Sequence, residues 1–149
     1  MSKNTELNQI VSDLFAAQPL GILATQGNGN PYCTIIAFTP SDDLKSLLIA
    51  TPRFTNKYRN ILKHPGVSLM VDNRSASNPD FAEGIAVNCL GRALTVPEQE
   101  FEASRKLHFD RHAHLRTYLD SPDCVLVRIE VESYIIARGV RQIETLSMI

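Results

Sequence analysis

Leu47-Leu48-Ile49-Ala50-Thr51-Pro52-Arg53-Phe54-Thr55-Asn56-Lys57-Tyr58-Arg59-Asn60-Ile61-Leu62-Lys63 is the stretch from which the rest of the chain can be read. The run Leu47 to Ala50 is apolar and stops at Thr51-Pro52, as a strand stops where proline removes a ladder donor. A polar turn follows, and Tyr58, Ile61 and Leu62 then fall at helical spacing. A strand that turns through hydroxyls and cations into a helix suits an anion, because the first helical N–H groups and the helix dipole both favour negative charge there. Thr51, Thr55 and Asn56 supply hydrogen-bond donors, while Arg53, Lys57 and Arg59 supply positive charge. Two readings fit these residues. The stretch holds a phosphate, or Thr55 caps an ordinary helix whose cations are solvated.

Before this stretch, Leu7, Ile10, Val11, Leu14 and Phe15 lie on one helical face, which Pro19 ends. Leu20 to Gln26 and Tyr32 to Thr39 read as two strands around Gly27-Asn28-Gly29-Asn30-Pro31, a turn whose residues tolerate positive φ. Pro40-Ser41-Asp42-Asp43 turns the chain into a third strand, Ser46 to Thr51. Three strands joined by tight turns predict an antiparallel sheet.

Beyond the helix, His64-Pro65-Gly66 is a stop signal and Val67 to Asp72 a fourth strand. Asn73 to Phe81 is polar and turn-rich, a long loop. The strand Glu83 to Val96 changes phase near Gly91, the signature of a β-bulge that bends a strand into a small barrel. A helical region runs from Pro97 to about Leu119 with a break near Asp110. Val125, Val127, Ile129 and Val131 then alternate with more polar residues as a half-buried strand, which Tyr134 to Ala137 extends. Gly139 to Ile149 carries no clear pattern. No repeat or linker interrupts the chain, so residues 1–149 read as one domain.

Composition narrows the function. A formal net charge of -1 with no basic run gives no footprint for nucleic acid. The polar start, Met1 to Gln9, has no signal-peptide core, and no run of about 20 apolar residues exists to cross a membrane. Cys33, Cys89 and Cys124 are far apart, odd in number and without a CxxC, as suits reduced thiols in a cytoplasmic protein. His108 and His112 stand four apart, with His114 close by. That spacing can bind a metal, but four nearby cations, Arg105, Lys106, Arg111 and Arg116, oppose it; the alternative is a solvated helix face, and no metal is assigned. GxSxG, HExxH, GxGxxG and P-loop motifs are all missing, which argues against the commoner hydrolase and nucleotide-binding chemistries.

The order of elements resembles the flavin-binding split-barrel superfamily, whose best-known members are the pyridoxamine 5'-phosphate oxidases. The resemblance is carried by Leu20-Gly21-Ile22-Leu23-Ala24-Thr25, Asn30-Pro31, Ala50 to Lys57, His64-Pro65-Gly66-Val67-Ser68-Leu69 and Leu90-Gly91-Arg92-Ala93. It implies an α+β fold with a six-stranded antiparallel split β-barrel and flanking helices, a homodimer, and FMN at the subunit interface. It further implies that Ala50, Thr51, Arg53, Thr55, Asn56 and Lys57 face the cofactor, with Lys57 and Thr55 at the phosphate. Ile35, Ile36 and Ala37 would lie beside the flavin ring through their main chain. Arg74 either reaches the phosphate or substrate, or is a solvated loop residue.

The same alignment shows departures. Cys33 and Phe38 stand where the oxidases carry an arginine and a lysine, Ala86 stands near a glutamine, and Arg138-Gly139-Val140-Arg141 replaces an Arg-x-His pair. Those losses imply a divergent member that does not oxidise pyridoxamine phosphate. Three functions follow: an FMN-dependent oxidoreductase fed by a reduced nicotinamide and passing electrons to a small molecule, a deazaflavin- or haem-binding relative with His108, His112 or His114 as an axial ligand, or a non-catalytic flavin-binding module.

Overall fold

The computed structural model describes residues 2–149; Met1, the first residue of the polar N-terminal run, lies outside them. Helix α1 (Lys3–Ala17) starts where the Ser2 hydroxyl accepts from the Thr5 amide at 3.2 Å, and it buries Leu7, Val11, Leu14 and Phe15. Strands β1 (Leu20–Gly27) and β2 (Asn30–Ala37) form the expected hairpin. Asn28 and Gly29 take φ of 54° and 80°, the paired left-handed conformation whose twist matches a two-residue hairpin turn. A two-residue strand β3 (Thr39–Pro40) then precedes β4 (Ser46–Pro52) and helix α2 (Asn56–Lys63). Strands β5 (Gly66–Asp72) and β6 (Ile85–Thr95) lead into helix α3 (Glu98–Arg111). A 3-10 turn (Ala113–Leu115), the short helix α4 (Arg116–Leu119), and strands β7 (Cys124–Arg138) and β8 (Gln142–Ser147) complete the chain.

All strands pair antiparallel in the order β2-β1-β5-β6-β7-β4-β3, with β8 added to β7. The sheet curls around a core that includes Leu23, Ile49, Leu69, Val127 and Tyr134, and α1 plugs it with Phe15 packed edge-on to Phe38 and Tyr134. Strands β2 and β4 come close without a ladder between them, so the cylinder is split along that seam. The protein is a split β-barrel of the α+β class.

Two strands exceed the six expected. One is the two-residue β3, and the other is β8, which forms from the tail that carries no pattern of its own. Its residues are mostly exposed; only Leu146 is buried, and its edge is set by pairing with the end of β7. The bulge at Gly91 is present, but its extra residue lies on the partner strand. Leu90 pairs with Ser133 and Gly91 with Val131, so Glu132 of β7 is left over. Its carbonyl accepts from Met148, which ties the tail to the barrel. The helical region breaks near Asp110, as expected: α3 ends at Arg111 and His112 closes it.

Candidate functional site

The seam between β2 and β4 opens into a cleft of about 270 Å³. Ile35, Ile36 and Ala37 form one wall and Ala50 and Pro52 the other, with Leu20 at the edge and Lys57 at the start of α2. Five of the ten nominated residues (Ile35, Ile36, Ala37, Ala50 and Lys57) therefore meet in one place. Among the described residues strand β2 forms a ladder with β1 alone, so its other edge is an open sheet edge with main-chain N–H and C=O groups left for a ligand. Burial lowers the Lys57 pKa, and among the described residues no carboxylate pairs with its ammonium. A half-buried cation without a counter-ion, beside apolar walls and free main-chain donors, is suited to an anionic ligand with a flat apolar body.

The other nominated residues lie around this cleft rather than in it. Thr51 is fully buried, because alternation along β4 turns Ala50 and Pro52 outward and Thr51 into the core. Its hydroxyl lies 2.8 Å from that of Thr55, and both lie 3.1 Å from the Pro52 carbonyl. Thr55 is the N-cap of α2, accepting from the Tyr58 amide at 3.3 Å. This hydroxyl pair fixes the strand-to-helix corner and so the position of Lys57. Replacing Thr55 with Ala is expected to cost about 1 kcal/mol in urea-unfolding stability, the usual value of a lost cap. Asn56 is exposed and accepts from the Arg59 guanidinium. Arg53 lines a neighbouring cavity of about 480 Å³ with Glu98, Phe101 and Cys124, and its amide donates to the Asp123 carbonyl at 2.8 Å. Arg74 lies at a third cavity, of about 540 Å³, under the 73–84 loop, and pairs with Asp72 at 3.0 Å.

Sequence reasoning missed the segment that closes the cleft from outside. Leu115, Tyr118 and Leu119 line it, and their i, i+3, i+4 spacing was a readable signal. The histidines also sit differently from a solvated face. His108 and His112 are both buried, with ring centroids 4.9 Å apart. His108 Nδ1 lies 2.9 Å from the Thr39 hydroxyl, and His112 Nε2 donates to the Phe38 carbonyl at 2.7 Å. They pin the end of α3 to the chain just past the Ile35–Ala37 wall. No group of three or more His, Cys, Asp or Glu able to hold a metal exists among the described residues. His114 is exposed and does not line the cleft. Burial lowers the pKa of both inner histidines, with neighbouring Arg111 acting in the same direction.

The positions that depart from the oxidases are also unsuited to holding a phosphate. Phe38 is buried, Cys33 offers no cationic group, and Arg138 is paired with Glu144 and Glu6. No helix in the described residues is long and apolar enough to cross a membrane.

Comparison with solved structures gives the same barrel in several proteins. General stress protein 26 from Bacillus anthracis is 20% identical with a TM-score of 0.75, over 96% of this chain and 99% of that one. An FAD-binding protein from Mesorhizobium loti is 20% identical with a TM-score of 0.69, over 87% and 90%. A haem-binding protein from Mycobacterium smegmatis is 21% identical with a TM-score of 0.79, over 90% of this chain but 55% of that one, so this chain spans little more than half of it. At these identities the likeness is one of fold. No curated protein matches the chain in sequence. The family profile of pyridoxamine 5'-phosphate oxidase, however, matches residues 7–136, nearly the whole barrel, and the chain belongs to that family as a divergent member.

Proposed function

We propose that the chain binds FMN in the seam cleft and acts as an FMN-dependent oxidoreductase, taking electrons from a reduced nicotinamide and passing them to a small molecule. The observation that carries this reading is Lys57, a half-buried cation with no carboxylate partner among the described residues, opening into an apolar cleft beside the free edge of β2. Bound flavin would supply the electron chemistry. The chain would supply position: Lys57 and the α2 N-terminus hold the phosphate, the β2 edge takes the ring's polar rim, and Ala50 and Pro52 exclude water from its face.

At about 270 Å³ the cleft is just below the usual range for small-molecule sites, which supports a pocket that a second protomer enlarges. Ile35, Ile22 and Met70 are in register across β2, β1 and β5, and Ile35 is 71% exposed. That apolar row beside the cleft supports a homodimer whose second copy completes the pocket. The free thiols suit a reducing, cytoplasmic setting.

A haem or deazaflavin relative is the alternative. Neither His108 nor His112 lines the cleft, and each engages one ring nitrogen with Thr39 or Phe38, which favours flavin over haem in this cleft. Absorbance after incubation with each cofactor separates the three. Lys57→Ala is expected to weaken FMN binding by about 1–3 kcal/mol, roughly 5- to 150-fold in Kd, through loss of a charge-assisted contact. A fluorescence titration with FMN measures this, and unchanged affinity in a folded variant would place the phosphate elsewhere.

A further inference from the structure

Residues 113–120 are held at both ends and expose the ring between them. Asp120 takes two hydrogen bonds from the Arg105 guanidinium, at 3.2 and 2.5 Å, so the end of α4 is fastened to α3. Arg116 and Arg105 both stack near Phe109, with guanidinium carbons 5.6 and 5.7 Å from its centroid. Just downstream, the Asp123 carbonyl accepts from Arg53, which fastens the following turn to the end of β4. Within this strap, Leu119 packs with Ala50, Leu126 and Val96 in a small second core on the outside of β4 and β7. Leu115 and Tyr118 share its face and line the cleft.

Tyr118 alone is left over. It is 77% exposed, and neither its hydroxyl nor its ring finds a partner among the described residues, although it sits on a fastened helix beside an apolar cleft. A mostly exposed aromatic side chain at the edge of a cleft, with no hydrogen-bond or ring partner among the described residues, is free to serve a ligand.

We infer that Tyr118 is the outer stacking wall of the cleft, covering the face of the flavin ring opposite the β2–β4 seam. This rests on the flavin reading above and extends it: the ring is held between Ala50 and Pro52 on the barrel side and a phenol on the strap side. The strap makes Tyr118 a positioning and selectivity residue, since an aromatic wall favours flat tricyclic ligands over flexible anions of similar charge.

The test is a fluorescence titration of free FMN into wild type, Tyr118→Phe and Tyr118→Leu. A phenol stacked on an excited flavin quenches its emission, whereas a phenylalanine ring does not. Wild type is expected to bind FMN with strong quenching. Tyr118→Phe should bind with a similar Kd and visibly brighter bound FMN. Tyr118→Leu should be bright and bind about 3- to 10-fold more weakly, the size of a lost aromatic stacking contact. A Tyr118→Phe complex as dark as wild type overturns the assignment while leaving flavin binding intact. Failure of wild type to bind FMN at all defeats the flavin reading at the earlier step, and the stacking assignment with it. Because Tyr118 is exposed, both variants should fold, which circular dichroism checks in the same samples.

Discussion

Lowering the pH from 7 to 4 is expected to remove about 3 kcal/mol of folding stability through His108 alone, from a pKa difference of about 2.5 units at about 1.36 kcal/mol each. The His108 pKa is pulled down from 6.5 to about 4, first by burial and then by the neighbouring His112 and Arg111. His112 shifts the same way, chiefly through burial, with its bond to the Phe38 carbonyl partly opposing and Arg111 and His114 adding repulsion. The sign follows from proton binding. Between pH 6.5 and 4 the unfolded chain takes up a proton at His108 that the folded chain refuses, so acid favours unfolding. The contribution is whole above pH 6.5 and falls away as pH drops to about 4. Carboxylates overlap only the acid end of this window: the pKa values of Asp43, Asp120 and Glu144 are lowered from 3.8, 3.8 and 4.5, so what they contribute is lost as pH falls below those values. Urea unfolding at half-unit pH steps measures the slope. The variant His108→Gln, which does not titrate, should reduce the slope between 6.5 and 4 whatever its starting stability, leaving the part due to His112. An unchanged slope would mean that His108 is not the buried, neutral group found here.

The same two histidines show where the sequence ceases to be legible. Strands β1, β2, β4, β5 and β7 could be read because apolar or β-branched runs, and in β7 an alternation, were bounded by Gly, Pro, Asn and Asp signals that act within a few residues. Helix α3 was placed correctly, yet its inner face was not. Leu107 is 60% exposed, while Ser104, His108 and His112, spaced by four, point inward. Hydropathy assigns leucine to the core and histidine to solvent. The partners that reverse this are the Phe38 carbonyl and the Thr39 hydroxyl, some seventy positions earlier, and no local pattern names them. Strand β8 escaped for a related reason. Its pairing with β7 makes it a strand, and an exposed edge needs no alternation of its own.

At the site, the cluster at Ala50 to Lys57 was legible because a strand, a proline and a helix start carry their chemistry within one short stretch. The division of labour inside it was less so. Alternation already implied that Thr51 faces the core when Ala50 faces the cleft, but the hydroxyl pair with Thr55 turns both side chains into scaffold for Lys57. The strap from Leu115 to Leu119 arrives from the far end of the chain. Only its apolar spacing was visible in advance; the target of that face was not.

Gly91 should be the least replaceable residue in the barrel. A Cβ there would lie 2.4 Å from the Glu130 carbonyl oxygen and 2.9 Å from Ile129 Cγ2. The nearer obstacle is backbone, so relief requires β6 and β7 to move apart at the point where Glu132 bulges. Both strands are interior to the sheet, and β7 also carries β4 and β8, so the strain cannot be released at an edge. Gly91→Val is therefore expected to destabilise by about 3 kcal/mol or more, at the upper end for overpacking, or to leave the protein insoluble. Gly66→Val is the matched control. Gly66 begins β5, a Cβ there meets nothing within 4 Å, and the change should stay within about 0.5 kcal/mol of wild type. Chemical unfolding of the two variants beside wild type decides the matter. If Gly91→Val unfolds at the wild-type midpoint, β6 and β7 are not as close as this register requires. The bend that brings the seam walls together must then arise elsewhere.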